Sequence, residues 1–459
     1  MRLLRVASLV AVVVALFAAV TQAEKPNIIY ILADDAGYGD LSCFGQKKFQ
    51  TPNIDGLAKR GMKLTSHYSG STVCAPSRCS LMTGLHTGHC YVRGNKEIRP
   101  VGQHPIPADT VTVAKLLKAA GYTTGAFGKW GLGSPGSEGD PINQGFDRFF
   151  GYNCQRNAHT YYPTWLFDNK TKITLDGKTY SHDLIAEQAL KFIRENAEGP
   201  FFCFMPITIP HAAMHVPEDY VAPFRKEFPE FEDKIGRYSG PQVKNPIAAF
   251  AGMMTKFDED VGRVVALLEE LGIDNETLII FTSDNGPHLE GGHDPRFFDS
   301  NGPLTGHKRN LTEGGIRVPT IACWPGKVPA GTESDHPSAF WDFLPTACDL
   351  AGVETPGGLD GISFLPTILG QPDQQKAHPY LYWEFYEGGG KRAVRFGKWK
   401  AIQRNLQKDL NSPIMLYDLE TDLAEQQNLA EEHPELVERA RTIFAEAHTP
   451  SEIWKFKGK

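Results

Sequence analysis

The run Cys74-Ala75-Pro76-Ser77-Arg78-Cys79-Ser80-Leu81-Met82-Thr83-Gly84 brings together a nucleophile, a fixed cation and a helix start. Pro76 is accepted in a first helical turn, where its missing N–H forfeits no bond. Cys74 then lies at the helix N-terminus, where an anion feels the positive end of the dipole and unpaired backbone donors. Arg78, about one turn on, adds a permanent cation to the same spot. The alternative for an isolated cysteine in an exported protein is a structural disulfide. Oxygen ligands form a second concentration of chemistry. Asp34 and Asp35 directly follow the apolar run Asn27 to Leu32, and Thr277 to Thr282 runs into Ser283-Asp284-Asn285-Gly286. Alone, Asp-Asp ahead of Gly37 reads as a turn. Two buried strands delivering Asp34, Asp35, Asp284 and Asn285 to one edge make a hard-oxygen cation site without imidazole or thiolate, which favours calcium over zinc.

Three further residues could serve an anionic substrate. Lys129 lies in Gly128-Lys129-Trp130-Gly131-Leu132-Gly133, where a compact cation can hold an anion oxygen or stand solvated on the surface. His211 follows Pro210, and an imidazole near its natural pKa can protonate a leaving alkoxide or hydrogen-bond an anion; a structural loop histidine is the alternative. Lys308 belongs to a loop, Gly306 to Pro319, that gathers cations close to Gly314-Gly315 and also reads as a polar hairpin.

The Cys74 segment resembles the sulfatase signature C-x-P-S-R-x-x-L-x-T-G and matches it at every specified position. Lys129 matches the lysine of that family's G-K-W-H-L-G motif, but Gly131 stands where many sulfatases have a histidine. His211 aligns with the histidine of P-H-x-P-x-x-x-P, with Ala213 in place of the inner proline. Lys308 aligns with the lysine of K-x-x-x-x-E-G-G-x-R-V-P, whose arginine, here Arg317, holds the turn.

The resemblance implies that Cys74 is converted by a maturing enzyme to formylglycine (3-oxoalanine), whose hydrated aldehyde attacks a sulfate ester, aided by Arg78 and Asp284. It implies Ca²⁺ held by Asp34, Asp35, Asp284 and Asn285 with residue 74 beside it, and sulfate held by Lys129, His211 and Lys308. The aromatic and polar stretch Gly151 to Pro163, with Asn157 and His159, is similar to segments of bacterial polysaccharide sulfatases and points to a sulfated sugar, with galactose or N-acetylgalactosamine sulfate in view; an ordinary packed loop is the alternative. The stretch His288 to Asn301, with His293 and Arg296, is expected to line the same pocket. Three rivals stand beside this reading: an arylsulfatase acting on small aryl sulfates, a phosphoester hydrolase of the same superfamily, and a non-catalytic binder of sulfated glycans.

The elements that must position these groups alternate along the chain. Helical spacing over Thr112 to Ala120 stops at Gly121 and is followed by a strand at Thr123 to Phe127. A helix at Ser181 to Asn196 precedes a strand at Phe201 to Met205, and a long helix at Ala248 to Leu271 precedes the strand that ends before Asp284. This α/β alternation predicts a large, mostly parallel sheet sandwiched by helices, and the resemblance makes it the alkaline-phosphatase-like sulfatase fold. Beyond Gln371, short strand-like runs and a final helix over about Glu432 to Glu446 predict a smaller antiparallel sheet with one covering helix. The expected organisation is a signal peptide over 1–23, a catalytic α/β domain over 24–370 and a C-terminal α+β subdomain over 371–459.

Composition bounds the rest. The chain has 459 residues, 41% hydrophobic and 22% charged, with a net charge of -7, and this acidic balance gives no support to nucleic-acid binding. Arg2 and Arg5 ahead of the apolar run Val6 to Val20 read as a secretory signal, and no later segment is apolar enough to anchor the chain in a membrane. A periplasmic or secreted protein is therefore expected. The eight cysteines, at 43, 74, 79, 90, 154, 203, 323 and 348, lack paired zinc spacing.

Overall fold

The computed structural model describes residues 25–458, so the signal-peptide reading lies outside the described residues. A ten-stranded sheet runs in the order Thr332–Ser334, Met62–Leu64, Ile321–Cys323, Thr277–Ser283, Asn27–Asp34, Phe201–Pro210, Thr123–Lys129, Arg148–Tyr152, Trp165–Asp168, Thr171–Thr174. Its five central strands, from Thr277–Ser283 to Arg148–Tyr152, are mutually parallel. Antiparallel pairs close the sheet towards its edges.

Period-2 alternation explains why the central strands are apolar throughout. From Asn27–Asp34, the residues Ile29, Ile31 and Ala33 enter one core, packed with Ala248, Phe250 and Phe257 of the helix Pro246–Leu271. Ile28, Tyr30 and Leu32 point the other way, into a second core with Leu81 of the helix Cys74–Thr83 and Phe343, Leu344 and Ala347 of the helix Phe343–Ala351. A strand buried on both faces has no polar position until its end.

Most expected elements are present with small shifts of boundary. The helix expected from Thr112 covers Val113–Ala119, with the Thr112 side chain accepting from Lys115 N as an N-cap. The strand expected to end at Phe127 continues to Lys129, and that expected to end at Met205 continues to Pro210. The C-terminal part forms a four-stranded antiparallel sheet, Leu381–Phe385, Lys391–Phe396, Trp399–Arg404 and Ile414–Asp418, covered by the helix Pro434–Glu446. Its residues Tyr382, Val394 and Leu416 pack on Ala440 and Phe444 of that helix. The eight cysteines are all free thiols. Among the described residues no helix is long and apolar enough to cross a membrane.

Candidate active site

The groups singled out for chemistry, other than Arg296 and His293, gather at the carboxyl end of the parallel strands, the edge where open α/β sheets place ligands. Asp34 closes the strand Asn27–Asp34, and Asp35 follows it with a left-handed φ of 70°. That turn lets the Asp35 N–H donate to Asp284 Oδ1 at 3.2 Å, just past the adjacent strand Thr277–Ser283. Lys129 ends its own strand, and His211 immediately follows Phe201–Pro210.

Cys74 is the first residue of the helix Cys74–Thr83, which Val73 enters in extended conformation and Gly84 leaves with a φ of 71°. Pro76 falls in the first turn, as its chemistry requires. Cys74 Sγ lies 3.2 Å from Lys129 Nζ and 3.6 Å from Asp34 Oδ1. Arg78 reaches across the site, donating to Asp284 Oδ2 at 2.8 Å and to the Lys129 carbonyl at 2.6 Å. Lys129 Nζ meets Asp34 Oδ2 at 2.5 Å, and Lys308 Nζ meets Asp35 Oδ2 at 2.7 Å. His211 Nε2 stands 3.4 Å from the same Asp35 oxygen. All these side chains are buried.

The electrostatics correct two expectations. A helix N-terminus was expected to favour a sulfur anion at Cys74, yet burial, and then Asp34, push the thiol up to about 12 against Lys129 and Lys308. The unmodified side chain is thus a neutral thiol and a poor nucleophile. His211 was expected near its natural pKa, but burial and the Lys308 ammonium hold it well below, so the imidazole is neutral. Burial raises Asp34, but Lys129, His211, Arg78 and Lys308 outweigh it and keep the carboxyl well below its usual range. Asp284 goes the other way, pushed up to about 7 by burial and then by Asp34.

The donor set fits a hard divalent cation. Oxygens of Asp34 and Asp35 converge with Cys74 Sγ and a His211 nitrogen within 4.8 Å of one another. Asp284 touches this group through Asp35, and Asn285 Nδ2 donates to Asp35 Oδ1 at 2.7 Å while Asn285 Oδ1 is buried without a hydrogen bond. An orphaned amide oxygen beside three carboxylates is the environment that Ca²⁺ or Mg²⁺ satisfies. Three carboxylates already face three fixed cations, Arg78, Lys129 and Lys308. A divalent ion added to them leaves net positive charge, suited to an anionic ester.

The stretch Gly151 to Pro163 also reaches the site. The His159 ring stacks on His211 at 4.4 Å with planes 3° apart, and Asn157 is half-buried on the short helix Gln155–Ala158. Arg296 is a correction. The helix Pro295–Phe298 buries Pro295 and Phe298, which turns Arg296 outward, where its side chain is 91% exposed and pairs only with Asp294 at 3.3 Å. His293 likewise stacks on Phe250 at 3.9 Å as part of the packing, whereas His288 of the same stretch lies 5.9 Å from the His211 ring. Tyr238, 5.2 Å from His159 and 5.6 Å from His211 between ring centres, was missed, since a lone tyrosine in a polar loop carries no spacing signal. Glu290 belongs to the stretch His288 to Asn301 expected to line the pocket; it pairs with Arg309, and burial raises its carboxyl but Lys308 outweighs this and holds it below its usual range.

Arg317 is structural, as expected. It donates to the Thr65 carbonyl at 2.6 Å and pairs with Glu313 at 3.2 Å. Glu313 also takes Lys400 Nζ at 2.7 Å, which ties the loop carrying Lys308 to the C-terminal sheet.

The comparisons agree with this geometry. The Sulfatase family matches residues 26–353, and the family described as N-sulphoglucosamine sulphohydrolase, C-terminal, matches residues 305–445. The chain is 32% identical to N-acetylgalactosamine-6-sulfatase of Rattus norvegicus over 415 residues, covering 82% of this chain and 71% of the relative. It is 32% identical to arylsulfatase A of Homo sapiens over 445 residues, covering 90% and 85%. Among solved structures it superposes on Ps i-CgsB with a TM-score of 0.79 at 28% identity, covering 95% of this chain and 96% of that one. The fold is the alkaline-phosphatase-like fold of such enzymes. A family match over most of the chain, with relatives above 30% identity along most of its length, makes this protein a member of the sulfatase family, a sulfuric ester hydrolase.

Proposed function

We propose that the protein removes sulfate from a sulfated sugar or polysaccharide, with residue 74, matured to formylglycine, as nucleophile and Ca²⁺ held by Asp34, Asp35, Asp284 and Asn285. The observation that carries this is the contact of Cys74 Sγ with both Lys129 and Asp34 at the head of a buried helix, in a site of balanced charge. The hydrated aldehyde supplies an oxygen nucleophile, and the cation lowers the cost of charge building on the sulfate oxygens.

The chain's own residues do the remainder. Lys129 and Lys308 hold the sulfate oxygens as fixed cations in a water-poor cleft, where their charge acts strongly. Arg78 fixes Asp284 and the Lys129 carbonyl, so the pocket is organised before substrate arrives. Neutral His211, stacked on the His159 ring, gives its one N–H at Nδ1 to the Ala212 carbonyl and presents Nε2 beside Asp35 as an acceptor for a hydroxyl proton of the nucleophile or the substrate. His159 and Tyr238, whose rings pack on His211, and Asn157 on the same segment as His159 are the groups that would meet the sugar.

The sugar assignment draws on the relatives. Ps i-CgsB has been solved in complex with k-i-k-neocarrahexaose at 28% identity to this chain, and N-acetylgalactosamine-6-sulfatase is named for a sulfated amino sugar. Export to the periplasm or the medium fits polymeric substrates. The test is a panel of sulfated mono- and oligosaccharides assayed beside an aryl sulfate and an aryl phosphate. The reading predicts the highest kcat/KM on a sulfated galactose or N-acetylgalactosamine unit. Faster turnover of aryl phosphate would replace it with a phosphoester hydrolase, and binding without turnover by formylglycine-bearing protein would replace it with a glycan-binding protein.

A further inference from the structure

The side chain that should accompany Lys129 at this end of the strand is missing. Residue 131 is glycine at a φ of +85°, and a Cβ there would lie 2.2 Å from Gln155 Nε2. The space beside Gly131 is therefore filled by the Gln155 carboxamide, at the head of the short helix Gln155–Ala158 that follows the neighbouring strand Arg148–Tyr152. Backbone pairing places it: Trp130 N donates to the Tyr152 carbonyl at 2.8 Å and Gly131 N to the Asn153 carbonyl at 3.1 Å, continuing the register of Lys129 with Tyr152.

Gln155 is only 7% exposed, yet neither its Oε1 nor its Nε2 has a hydrogen-bond partner. The same holds for Asn153 Oδ1 and Nδ2 and for Asn157 Nδ2. A buried amide without partners is costly, and the wholly unpartnered carboxamides of Asn153 and Gln155 are free to serve a ligand. The surroundings say where that ligand lies. On one side Arg156 pairs with Glu97, two residues from Asn95, whose Oδ1 accepts from Ala75 N at 3.2 Å beside Cys74. On the other side His159 stacks on His211. On the third, Lys129 reaches Cys74 Sγ two residues before Gly131. The segment 153–159 thus runs alongside the groups gathered at residue 74, with Gln155 against Gly131 and His159 against His211.

We propose that Gln155 binds the sulfate ester itself: its Nε2 donates to an oxygen of the sulfated group and its Oε1 accepts from a hydroxyl next to it. This rests on the sulfatase reading above and adds a neutral donor where residue 131 contributes none. Because an amide does not titrate, this contact works unchanged across pH.

The test compares Gln155→Met and Gln155→Glu with wild type, using the sulfated monosaccharide of the panel above that the wild type turns over fastest and protein verified to carry the aldehyde at residue 74. Gln155→Met keeps the volume and loses the hydrogen bonds, and should lower kcat/KM about 10- to 100-fold at an unchanged unfolding midpoint. Gln155→Glu is near-isosteric but anionic, so it should repel the ester and lose more than Gln155→Met, with weaker product inhibition by inorganic sulfate. Wild-type kcat/KM for Gln155→Met overturns the proposal, as does Gln155→Glu matching or exceeding it. A lower unfolding midpoint with unchanged kinetic constants assigns Gln155 to packing and equally overturns it. Absence of sulfate release by the wild type from every sulfated sugar of the panel would instead defeat the functional reading, before any variant is compared.

Discussion

Lys129 Nζ stands 2.5 Å from Asp34 Oδ2, and both groups touch Cys74 Sγ. The ammonium is the nearest fixed cation to the nucleophile, and although burial pushes its pKa down, the Asp34 carboxylate raises it, so the charge is permanent over the working range. Replacement by methionine keeps most of the volume and removes the charge. Lys129→Met and Lys308→Met should each lower kcat/KM by about 10²- to 10³-fold, the usual loss for a preorganised charged contact. Steady-state kinetics on an aryl sulfate decide this, and a loss under threefold for either variant would remove that lysine from the site's function.

The metal prediction concerns Asp35, which touches Lys308, Asn285 and, through its backbone, Asp284. Asp35→Ala should abolish stoichiometric calcium. A chelator should lower the melting temperature of the wild type, since an ion bound only by the folded state stabilises it, and leave the variant unmoved. One calcium per chain retained by purified Asp35→Ala would exclude this residue as a ligand.

Lys400 is wholly buried between Glu313 at 2.7 Å and Glu425 at 3.0 Å. Lys400→Met leaves two carboxylates without their shared cation, and should cost about 3 to 5 kcal/mol in denaturant unfolding. Loss below about 1 kcal/mol would show that Arg317 and Arg395 compensate. Activity should fall with it, because Glu313 belongs to the loop that carries Lys308.

The same pair sets an acid dependence. Burial raises Glu313, but Lys400 and the neighbouring arginines outweigh it and hold the carboxyl near about 2, below its usual 4.5. A depressed folded pKa gives stability that is present above the unfolded value and lost as pH falls through the folded one. Wild-type stability should therefore drop between about 4.5 and 2, and Lys400→Met should show a shallower drop over that window. Parallel curves would show that Glu313 is not governed by Lys400.

Much of the fold and the reactive centre was legible in the sequence. Residues whose chemistry is fixed by a local rule were found: Asp34 and Asp284 end runs too apolar to be anything but doubly buried strands, and Cys74 precedes a proline acceptable only in a first helical turn. Arg296 failed because local sequence does not say which side of a four-residue helix is buried, and Phe298 claimed the inner side. Tyr238 could not be seen, since it reaches the site through a ring contact made across the fold with His159, and the singled-out stretch Gly151 to Pro163 did not show that its Gln155 packs against Gly131. The states of Cys74 and His211 depend on burial, which spacing does not report.

The most direct measurement is sulfate release by Cys74→Ala beside the wild type, both produced with a formylglycine-generating enzyme. The wild-type peptide spanning residue 74 should be about 18 Da lighter than its unmodified form, marking the aldehyde. Alanine at the head of the helix should leave fold and calcium binding intact, because residue 74 contributes no cap through its side chain. Turnover should fall by several orders of magnitude, the scale of a deleted covalent nucleophile. Sulfate release by Cys74→Ala at the wild-type rate would contradict the mechanism.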